Sequence, residues 1–457
     1  MAIQIDAEKK IFTLETDHTM YQMQADAYGV LRHLWYGAKT GCDMSYLQDY
    51  PDVGFSGNIY AAGNDRTYSL DTLPLEYAGA GVGDFRVPAV AAVHADGSSA
   101  LDLRYYSHTV KPGKYAVEGL PAVYAAEDEA ETLEVVLRDT ASAVEVTLLY
   151  AVLPALDLVT RCARIRNLGE TPVTLTKAAS LCLDISRGSW EWVHFHGRHA
   201  MERQMERRLL FHGIQEIGST RGTSSHHQNP TVLLCTPDCT ETAGACIGAA
   251  LVYSGSHQTR LECDQLGQVR MVMGIHPDLF RWELKAGETF STPEVMLSYS
   301  DTGLETLSHH FHQAIREHIC RGKYQLAERP VLINNWEATY FGFDTEKILH
   351  IAEEAARLGV DMLVLDDGWF GKRDDDCSGL GDWFVNETKL SGGLHDLVEK
   401  IKGMGMRFGI WFEPEMISED SDLYRKHPDW AIRIPDRAPM RSRYQLVLDM
   451  ANPEVQE

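Results

Sequence analysis

The chain has 457 residues, 44% of them hydrophobic and 24% charged, which is the composition of a globular protein with room for two or three domains. Its 42 basic and 66 acidic side chains give a net charge of −24. Nucleic acid and anionic membranes are therefore excluded as favourable partners, whereas a neutral substrate carries no electrostatic penalty. Solubility alone would also account for this charge.

The cysteines and the N-terminal sequence indicate the compartment. Nine scattered cysteines do not predict a disulfide framework, and the pair Cys235 and Cys239 lacks partners at zinc-site spacing. The first ten residues have no apolar signal region, and nowhere do about 18 apolar residues follow one another. We therefore expect a cytoplasmic protein with no membrane span and no metal site at these cysteines.

The first two thirds of the chain have the pattern of β-strands. Apolar and polar residues alternate with a period of two between turn residues, and few helical patterns interrupt them. Clear instances lie at 132–138, 144–150, 159–165 and 173–177. Many short strands at this spacing predict an antiparallel β-sandwich, which we assign to residues 1–302.

The pattern changes towards the C-terminus. Residues 303–328 contain a helical spacing and are predicted to be a helical linker. After Pro330 short apolar strands alternate with amphipathic helices, which predicts a parallel α/β sheet. The predicted strands are 331–334, 362–365 and 408–411, and the two helices begin near Asp344 and Leu394. Residues 329–457 are thus predicted to be an incomplete (β/α)8 barrel, with three strands and part of the next unit, including 445–449.

Acidic and aromatic residues follow each of these strands. Asp366 and Asp367 end one strand, Trp336 follows the strand before it, and Trp411 and Glu413 follow the next. Parallel barrels carry their chemistry at the carboxyl ends of their strands. Carboxylates accept hydrogen bonds from hydroxyls, and an aromatic ring can cover the apolar face of a pyranose. The pattern favours a sugar-binding rim.

Several of these residues have simpler interpretations. Asp366 and Asp367 could merely cap the turn at Gly368. The run 373–376 is more typical of a solvated loop than of a metal site, and spacing alone does not choose between Arg441 and Arg443. Nor does spacing identify the two carboxylates that a glycosidase needs.

Motifs in this region closely resemble glycoside hydrolase family 36, in particular its tetrameric bacterial α-galactosidases. The shared motifs are Asn334-Asn-Trp-Glu-Ala-Thr-Tyr-Phe341, Leu365-Asp-Asp-Gly-Trp-Phe-Gly371, Leu380-Gly-Asp-Trp383, Trp411-Phe-Glu-Pro-Glu-Met416, Tyr424-Arg-Lys-His-Pro-Asp-Trp430 and Gln445-Leu-Val-Leu-Asp449, with Gly83-Asp-Phe-Arg86 upstream. The resemblance implies retaining hydrolysis of terminal α-linked galactose, as in raffinose or melibiose, by a cofactor-free homotetramer.

The resemblance also implies roles for individual residues. Asp366 and Asp367 would accept hydrogen bonds from the 4- and 6-hydroxyls of galactose. Trp336 and Trp411 would wall the pocket, and Arg443 would reach the sugar from the next strand end.

Three further positions are implied in the sandwich. Asp52 and Arg66 match positions that enter a neighbouring subunit's active site in such tetramers, although an ordinary surface loop is the simpler interpretation. His199 stands where relatives often carry a tryptophan at the pocket mouth.

The sequence departs from the family at its end. The nucleophile motif Lys-Trp-Asp-Met-Asn-Arg and the acid/base motif Cys-Ser-Ser-Gly-Gly-Gly-Arg-Phe-Asp do not occur in it. We therefore expect an N-terminal part without catalytic residues, inactive alone. Alternatives are a non-catalytic carbohydrate-binding or assembly fragment, a galactosyltransferase, or an α-N-acetylgalactosaminidase.

Overall fold

The computed structural model describes residues 2–55, 57–185 and 188–457. The chain divides into two compact units, Met1–Leu326 and Ala327–Glu457. The predicted class, an antiparallel β domain followed by parallel βα units, is confirmed. Among the described residues no helix is both long and apolar enough to cross a membrane.

The first unit begins with a four-stranded antiparallel sheet in sequential order. Its strands are β1 (Ile3–Asp6), β2 (Ile11–Glu15), β3 (Thr19–Ala25) and β4 (Leu31–Ala38). Six of the seven residues of β3 are buried, and they include the polar Thr19 and Gln22.

Two larger antiparallel sheets form the rest of this unit. A ten-stranded sheet has the order β12-β11-β14-β15-β20-β9-β8-β7-β6, with β19 beside β9, and a six-stranded sheet has the order β13-β16-β17-β10-β18, with β5 beside β10. The strands are β5 (Val90–Val93), β6 (Arg104–Pro112), β7 (Glu131–Asp139), β8 (Val144–Leu153), β9 (Leu158–Asn167), β10 (Val173–Ile185), β11 (Glu191–Arg198), β12 (Met201–Leu209), β13 (Gly213–Ser219), β14 (Gln228–Cys235), β15 (Cys246–Val252), β16 (His257–Cys263), β17 (Val269–Ile275), β18 (Trp282–Leu284), β19 (Thr289–Ser291) and β20 (Glu294–Ser300).

One apolar core joins the sheets of this unit. It takes alternate residues of the long strands, for example Leu133, Val135 and Leu137 of β7. Two buried aspartates of this unit pair with one arginine: Arg270 binds both carboxylate oxygens of Asp184 at 2.7 Å and also contacts Asp84 at 2.7 Å. Asp84 and Arg86 belong to one of the family-like motifs, and both are buried in the interior of this unit.

Helix α1 (Leu304–His318) packs on the outer face of the ten-stranded sheet. Leu307, Phe311 and Ala314 lie on its buried face. Phe311 fits against Gly248 of β15, where an added Cβ would lie 2.4 Å from the phenyl ring. The helix thus packs within the first unit. The domain boundaries predicted from sequence, after residues 302 and 328, remain predictions.

The second unit contains a parallel sheet of three strands in the order β21-β22-β23. These are β21 (Leu332–Asn334), β22 (Met362–Leu365) and β23 (Arg407–Ile410), close to the predicted strands. Helices α3 (Thr345–Arg357) and α4 (Gly393–Gly403) connect them, and the short α2 (Trp336–Thr339) follows β21. The side chain of Asp344 caps α3 by accepting from the Lys347 amide at 2.9 Å, as predicted.

The remaining elements are short: β24 (Met416–Ser418), α5 (Asp422–Lys426), β25 (Gln445–Val447) and α6 (Pro453–Gln456). Segment 445–449 is predicted to be part of the next barrel unit, and in the structure it contains β25, which pairs antiparallel with β24. Ile417, Leu446 and Leu448 form a small core of their own there, and this local burial explains the pairing.

Candidate active site

Asp366 lies at the carboxyl end of β22 and is held by two asparagines from the neighbouring strand end. Asn334 donates a short hydrogen bond from its side-chain amide to Asp366 Oδ2. The Asn335 side chain, which is completely buried, accepts from the Asp366 amide at 2.8 Å. These two contacts fix the orientation of the carboxylate. Asp366 remains partly exposed, so the carboxylate has lone pairs that are free for a ligand.

Asp367 forms a buried ion pair with Arg373. The guanidinium donates to Oδ1 at 2.9 Å and to Oδ2 at 2.8 Å, and both side chains are almost fully buried. Lys389 fixes the same loop by donating to the carbonyls of Phe341, Gly368 and Arg373, each at 3.1 Å. The predicted solvated loop at 373–376 is therefore wrong for Arg373, because its charge compensates Asp367 in the interior.

The two predicted tryptophans are half-buried. Trp336 packs edge-on against Tyr340 and Phe341, with ring centroids 5.2 and 5.0 Å away. Trp411 lies nearly parallel to Phe370, at 6.4 Å and 17°, and its carbonyl accepts from the Trp369 indole at 3.0 Å. Packing on the inner side fixes both rings and leaves part of each exposed.

Glu413 is the second carboxyl group near this rim. Burial raises its pKa above the ordinary value, while the nearby charge of Arg443 acts in the opposite direction. One of its oxygens, Oε2, is buried without a hydrogen-bond partner among the described residues. The group therefore favours a proton more than an ordinary glutamate does.

The structure distinguishes the two arginines that spacing could not. Arg441 forms an ion pair with Glu419. Arg443 is exposed, has a left-handed φ of 51°, and lies near enough to Glu413 to affect its pKa. Arg443 is therefore the arginine whose charge acts on Glu413.

The other three candidate residues belong to the first unit. Asp52 and Arg66 contact each other at 3.0 Å on an exposed loop, with side chains 47% and 62% exposed. His199 is exposed at the turn between β11 and β12. The first unit thus brings Asp52 and Arg66 together.

Sequence reasoning assigned no role to Asn334, Asn335 or Arg373. The asparagines carried a usable signal, because two consecutive amides at the end of a predicted strand offer donors and acceptors to the neighbouring strand end, where Asp366 lies. Arg373 carried no such signal, since its aspartate neighbours suggest solvent exposure.

This arrangement offers hydrogen-bond acceptors and aromatic surface to a ligand that carries hydroxyl groups. Asp366 accepts hydrogen bonds, Asp367 has its charge compensated but retains lone pairs, and Trp336 and Trp411 offer aromatic surface. Within the described ranges, no group of three or more His, Cys, Asp or Glu side chains could hold a metal ion.

Two family models match this chain. Residues 29–285 match the glycosyl hydrolase family 36 N-terminal domain, and residues 289–457 match the Melibiase family. The bifunctional alpha-galactosidase/sucrose kinase AgaSK of Mediterraneibacter gnavus is 54% identical over 100% of this chain and 49% of its own length. Alpha-galactosidase AgaA of Geobacillus stearothermophilus is 44% identical over 100% of this chain and 62% of its own length.

Solved structures are similar as well. The galactosidase domain of AgaSK superposes with a TM-score of 0.98 at 54% identity, over 100% of this chain and 63% of that one. AgaB of Geobacillus stearothermophilus gives a TM-score of 0.96 at 44% identity, over 100% and 62%. The chain thus spans about half to 63% of the length of these relatives. The matches confirm the resemblance inferred from the motifs, and the chain belongs to glycoside hydrolase family 36.

Proposed function

We propose that the whole protein is a retaining α-galactosidase that removes terminal α-linked galactose from oligosaccharides such as raffinose or melibiose. The main support for this proposal is the rim of the second unit, where the oriented carboxylate of Asp366 lies beside the ion-paired Asp367. Family membership supports this function, and so do relatives named alpha-galactosidases, one of which was solved with raffinose.

In this proposal the rim residues bind galactose. Asp366 and Asp367 accept hydrogen bonds from the 4- and 6-hydroxyls, and Trp336 and Trp411 cover apolar faces of the sugar. Arg443, which lies just before β25, reaches the sugar from the next segment of the chain. The nucleophile, which forms a galactosyl-enzyme, and the acid/base are two aspartates in motifs that the printed sequence does not contain.

The proposed assembly is a homotetramer in the cytoplasm. The loop that carries Asp52 and Arg66 supports an assembly role, because its aromatic residues Phe55 and Tyr60 are fully exposed. In the tetramer, Asp52 and Arg66 would enter a neighbouring active site, and His199 would lie at the pocket mouth. Nine free thiols support a reducing compartment.

Hydrolysis of an aryl α-galactoside tests this function. We expect no turnover by the 457-residue chain, and turnover by a product of the same gene that carries both aspartate motifs. In that longer product Asp366→Asn should reduce kcat/KM by at least about tenfold, because a charged hydrogen-bond acceptor is lost. The matched control Asp361→Asn lies before β22, at the opposite strand end, and should have little effect.

Two results would contradict the proposal. Turnover by the 457-residue chain well above background would show that the missing motifs are not needed. An inactive longer product that is folded and contains both motifs would remove the α-galactosidase function itself.

A further inference from the structure

Asn334 makes two side-chain hydrogen bonds that lead to two different parts of the rim. Its Nδ2 donates to Asp366 Oδ2, at the end of the neighbouring strand β22. Its Oδ1 accepts from the backbone amide of Trp336 at 2.7 Å. Because a carboxylate accepts and a backbone amide donates, these partners assign both ends of the Asn334 side chain. One side chain thus joins the carboxylate of the rim to the start of its aromatic wall.

The Asp366 carboxylate is held at its other oxygen as well. Asp366 Oδ1 accepts from the Asp367 amide at 2.7 Å, and the backbone of Asp366 is held by the Asn335 side chain at 2.8 Å. Asn334 acts on the carboxylate from a different strand, whereas Asp367 is the next residue in the chain. Each carboxylate oxygen has one protein partner and retains a lone pair for a ligand hydroxyl.

The Trp336 ring is fixed by its own neighbours. It packs edge-on against Tyr340 and Phe341, and the Tyr340 amide donates to the Trp336 carbonyl at 2.7 Å. The hydrogen bond from the Trp336 amide to Asn334 connects this group of rings to Asp366. A displacement of Asn334 would therefore change the position of the ring relative to the carboxylate.

A local turn explains only one of the two contacts of Asn334. An asparagine that accepts from the amide two residues later forms an ordinary Asx turn, and here the turn leads into the short helix α2. Such a turn does not use the Nδ2 end, which in this structure crosses to the next strand. Asn334 is also exposed, so water would satisfy that end, and folding does not require the contact with Asp366.

We propose that Asn334 is a positioning residue for galactoside binding, which holds the Asp366 carboxylate and the Trp336 ring in one fixed relative geometry. This inference rests on the proposed function of the rim. A hydroxyl group of the sugar donates to Asp366 while the apolar C–H face of the same ring packs on Trp336. Because both groups are oriented before the sugar binds, less conformational freedom is lost on binding.

Fluorine NMR tests the coupling without using catalysis. The 457-residue chain is labelled with 5-fluorotryptophan, and the Trp336 signal is identified by its loss in Trp336→Phe. Asp366→Ala should shift this signal in the parent chain. The shift should be much smaller when Asn334→Ala is also present, because the connecting side chain is then absent. Shifts of equal size with and without Asn334→Ala would overturn the proposal.

Hydrolysis of an aryl α-galactoside by the longer product tests the effect on function. Asn334→Ala should reduce kcat/KM by about three- to tenfold, because a hydrogen bond to a charged group is lost. It should reduce kcat/KM little further in a protein that already carries Asp366→Ala, since both changes remove the same interaction. Equal losses in the presence and absence of Asp366→Ala would contradict the proposal.

Asp361→Ala is the matched control. The Asp361 side chain accepts from the Val331 amide at 2.9 Å, so it links the same two strands just before they begin. This variant should retain the kcat/KM of the parent. If it lost as much activity as Asn334→Ala, Asn334 would act only by holding the strands together, and the proposal would be wrong.

Asn334→Asp separates positioning from a general loss of stability. At neutral pH the new carboxylate faces Asp366 Oδ2 and repels it, so kcat/KM relative to the parent should fall at least as far as in Asn334→Ala. With a proton, the new group donates to Asp366 and still accepts from the Trp336 amide. The deficit should therefore shrink as pH falls from about 7 towards about 5, whereas that of Asn334→Ala should stay constant.

A deficit of Asn334→Asp that does not change with pH would overturn the proposal, as would full activity of Asn334→Ala. Unchanged far-UV circular dichroism establishes that each variant is folded. If the folded longer product has no activity at all, the proposed function fails. The fluorine measurement then still decides whether Asn334 couples Trp336 to Asp366.

Discussion

At the scale of single residues, the rim contains two aspartates with different environments. Asp366 is half-exposed and is oriented by neutral amides, whereas the carboxylate of Asp367 is buried against Arg373. Neutral donors leave the charge of Asp366 available, and a guanidinium compensates that of Asp367. Adjacent residues of one strand end thus differ in the charge they present to a ligand.

Glu413 provides a pH-dependent prediction at this scale. Its folded-state pKa is raised above the ordinary value, chiefly by burial, so the folded state retains the proton that the unfolded chain releases. Stability should therefore fall as pH rises from the ordinary glutamate value, near 4.5, to the raised value, and remain reduced above it. Glu413→Gln should remove this fall and make the second unit more stable at neutral pH.

Chemical unfolding at several pH values, followed by tryptophan fluorescence, measures this effect. Glu419→Gln is the matched control, because that carboxylate forms an ion pair with Arg441. A Glu413→Gln protein with the same pH dependence as the parent would show that Glu413 ionises normally.

At the scale of elements, the contact between α1 and β15 depends on one glycine. A Cβ at Gly248 would lie 2.4 and 2.9 Å from two ring atoms of Phe311, which is 8% exposed and has little room to move. Gly248→Ala should therefore destabilise the first unit by about 1–3 kcal/mol, the usual cost of overpacking. In the Gly248→Ala protein, the backbone amides of α1 should exchange with solvent faster than the backbone amides of β8.

Thermal unfolding and hydrogen exchange measure both parts of this prediction. Gly57→Ala is the control, because an added Cβ there has no neighbour within 4 Å and the backbone is not left-handed. Equal melting temperatures for the parent and Gly248→Ala would show that α1 does not need this close approach.

Strands and helices were predictable from sequence to the extent that their burial is periodic. The alternation at 132–138 indicates β7, and Asp344 with the apolar face that follows indicates α3, because local pattern and local capping suffice there. The antiparallel pairing of β25 with β24 was not predictable, since it depends on a small separate core around Leu446. Burial of Arg373 likewise depends on a tertiary partner, Asp367, and not on its neighbours in sequence.

At the scale of the whole molecule, the two units differ in the size of the core that each of them forms. The first unit has an extensive core that joins its sheets. Its buried arginines Arg161 and Arg270 are paired with carboxylates. In the second unit, β21 and β23 are the outer strands of the three-stranded sheet, and Leu332 and Phe412 are 54% and 50% exposed. Exposed strand edges beside apolar side chains promote association.

We therefore predict that residues 1–326 fold alone and that residues 327–457 aggregate when produced alone. The shorter chain should unfold cooperatively on heating and retain its β-sheet circular dichroism, because its core is internal to the unit. Light scattering should show association of 327–457 that increases with concentration, since both outer strands can pair with another chain. A soluble, monomeric 327–457 would mean that its sheet edges are protected within the unit, and an insoluble 1–326 would mean that its core is not sufficient.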